Sequence, residues 1–275
     1  MTTSTMTQET ISYVCSTVRS RSAIELDISK SYLIEARLAP LAKRNGFGSI
    51  DEFVQAVKGK TKLGMESQLV EAMTTNETSF FRDIHPFEAL RKTLFPEIRT
   101  KHAIQKSMNI WSAACSSGQE IYSIGMLIRE NFPDLASWRV NLVATDLSDD
   151  ILAKAKAGKF SQLEVNRGLP ATLIVKYFQR QGLNWELQSE VRNMATFMKL
   201  NLIERWPQLP MMDVVFLRNV LIYFSPETKR AILEKIRKVM APRGVLFLGA
   251  AETTMGLDAA FERVQADSSV FYRLK

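Results

Sequence analysis

Apolar positions recur at helical spacing along residues 11–73. Ile11, Val14, Cys15 and Val18 share one face, Leu33, Ile34, Leu38 and Leu41 another, and Phe53, Val54 and Val57 a third. Asn45-Gly46 stops the second of these helices. Ser49 followed by Asp51 and Glu52 starts the third, a capping hydroxyl with first-turn carboxylates. Residues 66–73 add one more short helix. No strand pattern precedes Asn109, where the period changes. Residues 109–114 (NIWSAA) are a short apolar run suited to a buried strand, Cys115-Ser116-Ser117-Gly118 is a small-residue turn, and residues 119–130 return to helical spacing through Ile121, Ile124, Leu127 and Ile128. Further strands are expected at 139–144, 195–200 (a core strand), 212–217 and 245–248, with 269–272 as a final edge strand. Helices are expected at 87–95, 148–156 and 226–240, the last opened by Ser225-Pro226-Glu227 and stopped by Ala241-Pro242-Arg243-Gly244. Residues 158–193 break this rhythm and read as a helix followed by short antiparallel strands.

A strand, a tight small-residue turn and a helix N-terminus form the ligand-side corner of a doubly wound α/β domain. Asp146, at the end of the next strand, stands where such folds hold ribose hydroxyls. The turn has only Gly118, which disfavours a dinucleotide, whose diphosphate needs a glycine-rich cradle. A nucleoside cofactor without phosphates fits better. S-adenosylmethionine leads, with other small-molecule ligands left open. The expected organisation is an all-helical N-terminal domain at 1–73, a linker at 74–85, and an α/β domain at 86–275 carrying a small antiparallel β-subdomain at about 158–193.

The 275 residues are 46% hydrophobic, ample for a sizeable core, and carry a formal net charge of +7. The charge implies an acidic partner without choosing among nucleic acid, lipid and protein. Two distant cysteines suggest neither a disulfide framework nor a zinc site, and point to a reducing compartment. The polar N-terminus lacks an apolar signal core, and no run approaches the ~18 apolar residues of a membrane span. Arg37, Lys43, Arg44, Lys58, Lys60 and Lys62 could form a basic docking face or an ordinary solvated surface.

Three strings carry a resemblance: Thr75-Asn76-Glu77-Thr78-Ser79-Phe80-Phe81-Arg82, the run from Trp111 through Gly118-Gln119-Glu120 to Ser123, and Arg218-Asn219-Val220-Leu221-Ile222-Tyr223-Phe224. Together they resemble the CheR family of chemotaxis-receptor glutamate O-methyltransferases, over nearly the whole chain. The resemblance implies a Rossmann-like S-adenosylmethionine-dependent methyltransferase domain, yielding S-adenosylhomocysteine. It implies cofactor contacts from Asn76, Thr78, Arg82, Ala113, Glu120, Asp146, Asn201, Leu202, Arg218, Asn219 and Val220, with Arg82 and Tyr223 nearest the transferred methyl. Where the family's turn usually reads SxGEEPYS, Gln119 and Ile121 stand here, while Glu120 is retained.

The implied nucleophile, a glutamate γ-carboxylate, has a reference pKa near ~4.3 and needs no general base. The implied partners are acidic cytoplasmic receptor helices docked on the basic N-terminal face, with a monomeric cytoplasmic enzyme recruited to membrane-bound receptor arrays. In some members the β-subdomain binds a receptor C-terminal pentapeptide through a longer, glycine-containing loop. Residues 178–185 are short, with only Gly182, which points to a pentapeptide-independent enzyme. A nucleic-acid methyltransferase would share the basic charge, but no base-gripping Asn-Pro-Pro-Tyr motif is present. A non-catalytic cofactor-binding scaffold is the other alternative.

Overall fold

The structure, a computed structural model, describes residues 6–26, 29, 31–61 and 63–275. The chain divides into two compact units, Met1–Thr75 with Tyr223–Thr228, and Asn76–Ile222 with Lys229–Lys275.

The first unit contains helices α1 (Gln8–Ser22), α2 (Ser31–Arg44), α3 (Ile50–Lys58) and α4 (Met65–Ala72). The Ser49 hydroxyl accepts the Glu52 N–H at 3.1 Å, the expected cap of α3. Val14, Val18, Ile34, Leu38, Phe53, Val54 and Leu69 form the buried interior. Leu33 is 39% exposed, because Ile34, Leu38 and Leu41 already fill the one inward face of α2.

The second unit opens with α5 (His85–Ala89), a π-helical turn at Leu90–Leu94, and α6 (Phe95–Lys101). It continues through β1 (Ser107–Ala113), α7 (Gln119–Asn131), β2 (Arg139–Asp146) and α8 (Asp149–Ala157). The excursion follows as β3 (Lys159–Ser161), α9 (Gln162–Asn166), α10 (Ala171–Tyr177), β4 (Phe178–Gln181), β5 (Asn184–Leu187) and α11 (Ser189–Arg192). The chain closes with β6 (Ala195–Lys199), β7 (Met212–Leu217), α12 (Pro226–Val239), β8 (Met240–Leu248), β9 (Phe261–Ala266) and β10 (Ser269–Leu274).

The main sheet has seven strands in the order β6-β2-β1-β7-β8-β10-β9. The pairs from β6 through β8 are parallel, and β10 runs antiparallel to both its neighbours. β7 is buried along its whole length, as the apolar run Val214–Leu217 requires in a strand covered on both faces, and the buried Asp213 near its start accepts the Asn109 N–H at 2.9 Å. The antiparallel excursion is a three-stranded sheet, β3-β5-β4.

Three expectations change. β10 lies between β8 and β9 rather than at the edge, because β9 pairs outside it. β6, expected in the core, is itself an edge strand and only half-buried. The segment expected to stop the preceding helix is already the start of β8, which opens at Met240.

Candidate active site

The strand order reverses at β1, with β2 on one side and β7 on the other, so a crevice opens beyond the carboxyl ends of these strands. The turn after β1 lines it. Ala114, Ser116 and Gly118 all take positive φ, 55°, 50° and 91°. These values turn the chain sharply into α7, and at Gly118 a Cβ would stand 3.0 Å from the Tyr122 ring.

Asp146 fastens this turn. Its Oδ2 accepts the Ser116 N–H at 2.8 Å and its Oδ1 the Ser148 N–H at 3.2 Å. One strand position earlier, the Thr145 carbonyl accepts the Cys115 N–H at 2.8 Å. Ala113 is buried at the end of β1.

Glu120 projects from the first turn of α7. The Ser112 hydroxyl donates to its Oε1 at 2.7 Å, and Arg218 Nη1 donates to its Oε2 at 3.0 Å. Arg218, at the end of β7, has a side chain only 3% exposed. Its Nη2 donates to Asp83 Oδ2 at 2.8 Å and to the Arg82 carbonyl at 3.0 Å. One buried guanidinium therefore joins the end of β7 and the first turn of α7 to the segment before α5. Asn219 follows with φ 58°, and its Oδ1 is buried without a hydrogen-bond partner among the described residues. Val220 is half-buried beside it.

The segment 76–82 is anchored at several points. The Asn76 carbonyl accepts the Ser116 hydroxyl at 2.8 Å, and the Phe81 N–H donates to Ser123 Oγ at 2.9 Å. Phe80 is buried edge-to-face against Phe160 and Phe178, at centroid distances of 5.0 and 5.6 Å. Thr78 is half-buried within it. Arg82 Nη1 donates to the Glu77 carbonyl at 3.1 Å.

Asn201 and Leu202 follow β6. Asn201 Nδ2 donates to Glu204 Oε1 at 3.1 Å, and the carbonyls of both residues accept Trp206 Nε1 at 3.2 Å. Trp206 in turn packs edge-to-face on Trp111 of β1 at 5.2 Å. Burial pushes the Cys115 thiol well above its ordinary range, and the carboxylates of Asp146 and Glu120 add to the effect.

The structure thus gathers Asn76, Thr78, Arg82, Ala113, Glu120, Asp146, Arg218, Asn219 and Val220 on the loops around the β1 switch point, and ties Asn201 and Leu202 to the same sheet end through Trp206. Tyr223 belongs to the helical unit instead. There its carbonyl accepts the Glu25 N–H at 3.0 Å, and it lines a cavity of about 180 Å³ with Ile24, Ile34 and Met73. Sequence reading missed Ser112, Ser116, Asp83 and Glu252. Ser116 stood inside the small-residue turn and Asp83 directly after the Phe-Phe-Arg string. Glu252 had no local signal.

The basic surface needs correction. Arg37 is turned inward: its Nη1 donates to the Met73 and Thr74 carbonyls at 2.7 and 3.0 Å, and its Nη2 to Thr75 Oγ1 at 3.0 Å. These are carbonyls left open at the end of α4. Lys58 bonds Glu9 at 2.6 Å and sits 5.0 Å from the Tyr13 ring centroid. Lys43, Arg44 and Lys60 are exposed, and Lys62 lies outside the described residues.

The donor set fits a cationic nucleoside. Glu120 presents a carboxylate at the helix start where a dinucleotide would bring its diphosphate, Asp146 a second carboxylate where such folds hold ribose hydroxyls, and the buried Asn219 Oδ1 is an acceptor without a partner among the described residues. Residues 76–270 match the model of the CheR methyltransferase SAM binding domain, and residues 9–74 match its all-alpha domain. Fold and site together define an S-adenosylmethionine-dependent methyltransferase. Chemotaxis protein methyltransferase 1 of Pseudomonas aeruginosa is 42% identical over 257 residues, 92% of this chain and 93% of that one. Chemotaxis protein methyltransferase Cher2 of Pseudomonas putida is 40% identical over the same shares. Chemotaxis protein methyltransferase 1 of Vibrio cholerae is 36% identical over the full length of both chains. The chain belongs to the CheR methyltransferase family; its cofactor is S-adenosylmethionine, and its methyl transfer serves chemotaxis.

Proposed function

We propose that the methyl acceptors are glutamate γ-carboxylates on chemotaxis receptors, converted to methyl esters. One observation favours a carboxylate over a hydroxyl or a nucleobase. Glu120, Asp146 and Asp83 already accept hydrogen bonds from Ser112, Arg218 or backbone N–H groups, so none of these three carboxylates is a free general base. A glutamate is ionised near pH 7 and needs none.

Bound S-adenosylmethionine supplies an electrophilic methyl on a sulfonium centre. The chain's contribution is alignment and exclusion of water. Glu120, Asp146 and Asp83 outnumber the cations Arg218 and Arg82, an imbalance that favours a cationic cofactor and loosens its hold once the charge is gone. Arg82 steers the incoming carboxylate, and the Tyr223 hydroxyl orients one of its oxygens. Asn76, Thr78, Asn201, Leu202, Asn219 and Val220 complete the cofactor pocket, with 1–73 docking the receptor, 74–85 contributing cofactor contacts, and 86–275 performing transfer.

The docked surface is an acidic cytoplasmic receptor helix met by Lys43, Arg44 and Lys60, which places a monomeric enzyme at the receptor arrays, with no nucleic-acid partner. β4 and β5 are joined by Gly182-Leu183 alone, which supports independence from a receptor pentapeptide. Among the described residues no helix is long and apolar enough to cross a membrane.

The test is transfer from labelled S-adenosylmethionine to receptor-containing membranes. Base-labile label on wild-type receptor, absent from receptors with the glutamates replaced by alanine, is the expected result. Label in RNA or DNA, or none despite cofactor binding, overturns the reading. Tyr223→Phe is expected to lose most of the initial rate while keeping cofactor affinity. An unchanged rate removes Tyr223 from the chemistry.

A further inference from the structure

Glu252 lies beyond β8, in Gly249-Ala250-Ala251-Glu252, a stretch with no role in the reading above. Its Oε2 accepts the N–H of Asn219 and the N–H of Gly249, both at 2.7 Å, and its Oε1 accepts the N–H of Ile222 at 3.1 Å. Its own N–H donates to the Gly249 carbonyl at 2.9 Å. The carboxylate therefore grips two backbone positions of the loop that carries Arg218, Asn219 and Val220, together with the end of β8.

The fit is close. Asn219 holds φ 58°, in the left-handed region that asparagine tolerates better than most side-chain-bearing residues. A Cβ on Gly249 would stand 2.6 Å from Asn219 Nδ2 and 2.8 Å from Glu252 Oε2, so only glycine leaves the loop room. A carboxylate has acceptors alone, and three donors converge on it here. An amide of the same shape would turn N–H groups toward at least one of them.

We infer that Glu252 is a positioning residue of the methyl-transfer site. It holds the loop after β7 in the conformation that sets Asn219 at the crevice and Arg218 against Glu120. It acts through the backbone of that loop. The inference rests on the switch-point crevice being the cofactor site, and is independent of which carboxyl group is methylated.

The test compares wild type, Glu252→Gln and Arg273→Gln in the full chain. Arg273 makes a bidentate pair with Glu97 and has no part in the site, so its variant controls for general loss of stability. Calorimetry with S-adenosylhomocysteine reads the site without any receptor. Glu252→Gln is expected to weaken binding about tenfold per folded molecule, as loss of a charged hydrogen bond implies, while Arg273→Gln binds as wild type. Glu252→Asp, whose shorter side chain cannot span both loop positions, is expected to fail to restore affinity. Wild-type affinity in Glu252→Gln, at whatever melting temperature, overturns the inference, as does an equal loss of affinity in Arg273→Gln. Failure of receptor methylation with normal cofactor affinity would count against the receptor reading alone.

Discussion

Arg218 Nη1 and Glu120 Oε2 stand 3.0 Å apart although 98 residues separate them in sequence, with side chains 3% and 13% exposed. Removing one member of a buried pair strands the other charge, a loss of roughly 3–5 kcal/mol. Arg218→Met is expected to lower stability by about that amount. Glu120→Gln, which keeps its bond to Ser112, loses less, and the double variant regains part of the Arg218→Met loss because no buried charge is left bare, the Asp83 carboxylate being half-exposed. Denaturant unfolding of the four proteins measures this; strictly additive losses would show that the two charges are not coupled.

Gly168 sits where only glycine can. Its φ is 86°, and an added Cβ would fall 2.1 Å from the Phe80 carbonyl oxygen. Gly168→Ala is expected to destabilise by about 2–4 kcal/mol, through positive-φ strain and forced displacement of the segment that seats Phe80. It is also expected to weaken cofactor binding, because Asn76 and Arg82 belong to the displaced segment. Gly182 shares a positive φ, 61°, with open space around it. Gly182→Ala is expected to show only the strain, about 1 kcal/mol. Equal melting temperatures for the two variants would contradict the close approach.

Cys115 is 2% exposed, and burial with two neighbouring carboxylates raises its pKa. The reactive species is the thiolate, so the thiol stays neutral and inert through neutral pH. Maleimide at pH ~7.5 is expected to leave Cys115 unmodified in the folded chain and to label it in denaturant. Rapid labelling of native Cys115 would mean the turn opens far more readily than its bonds to Thr145 and Asp146 allow.

Much of this site was legible because its signals are local. β1, the small-residue turn and α7 follow one another, Asp146 ends the next strand, and β7 is apolar at every position but Asp213, so period and spacing reveal them. What was missed depends on partners distant in sequence. β9 alternates weakly, with Glu262, Arg263 and Gln265 exposed around Phe261, as suits an edge strand with little to bury. Its presence is what moves β10 inward. Glu252 recognises backbone N–H groups, which leave no trace in side-chain pattern. Arg37 looks like any surface cation until α4 brings its carbonyl end alongside.

Asp51 gives the helical unit an acid-sensitive clasp. The Thr10 hydroxyl above all, with the Thr7 N–H and hydroxyl, holds its carboxyl below the usual range against the opposing effect of burial. A depressed folded pKa means the unfolded chain binds more protons, so the stabilisation is complete above the unfolded value of ~3.9 and is lost as pH falls through the folded value. Asp51→Asn is expected to be less stable than wild type at pH 7 by about 1 kcal/mol, with the gap narrowing steadily below pH ~4. A gap that stays constant with pH would assign the effect to shape rather than charge.

The inward turn of Arg37 separates two roles that charge alone would merge. Its guanidinium satisfies the Met73 and Thr74 carbonyls and the Thr75 hydroxyl, so Arg37→Met removes several charged hydrogen bonds and leaves carbonyls at the end of α4 without their donor. A loss of about 2–3 kcal/mol is expected, with no change in the salt dependence of receptor methylation. Lys43 and Arg44 end α2 in solvent. Reversing both to glutamate is expected to change the melting temperature little, since exposed charges contribute ~0–1 kcal/mol. It should raise KM for receptor several-fold at low salt, an effect that fades as the Debye length shrinks to ~3 Å at 1 M. The discriminating measurement is KM against ionic strength for both variants. A salt-sensitive rise in KM for Arg37→Met, with none for the double reversal, would put the docking charge back on Arg37 and leave the end of α2 an ordinary solvated surface.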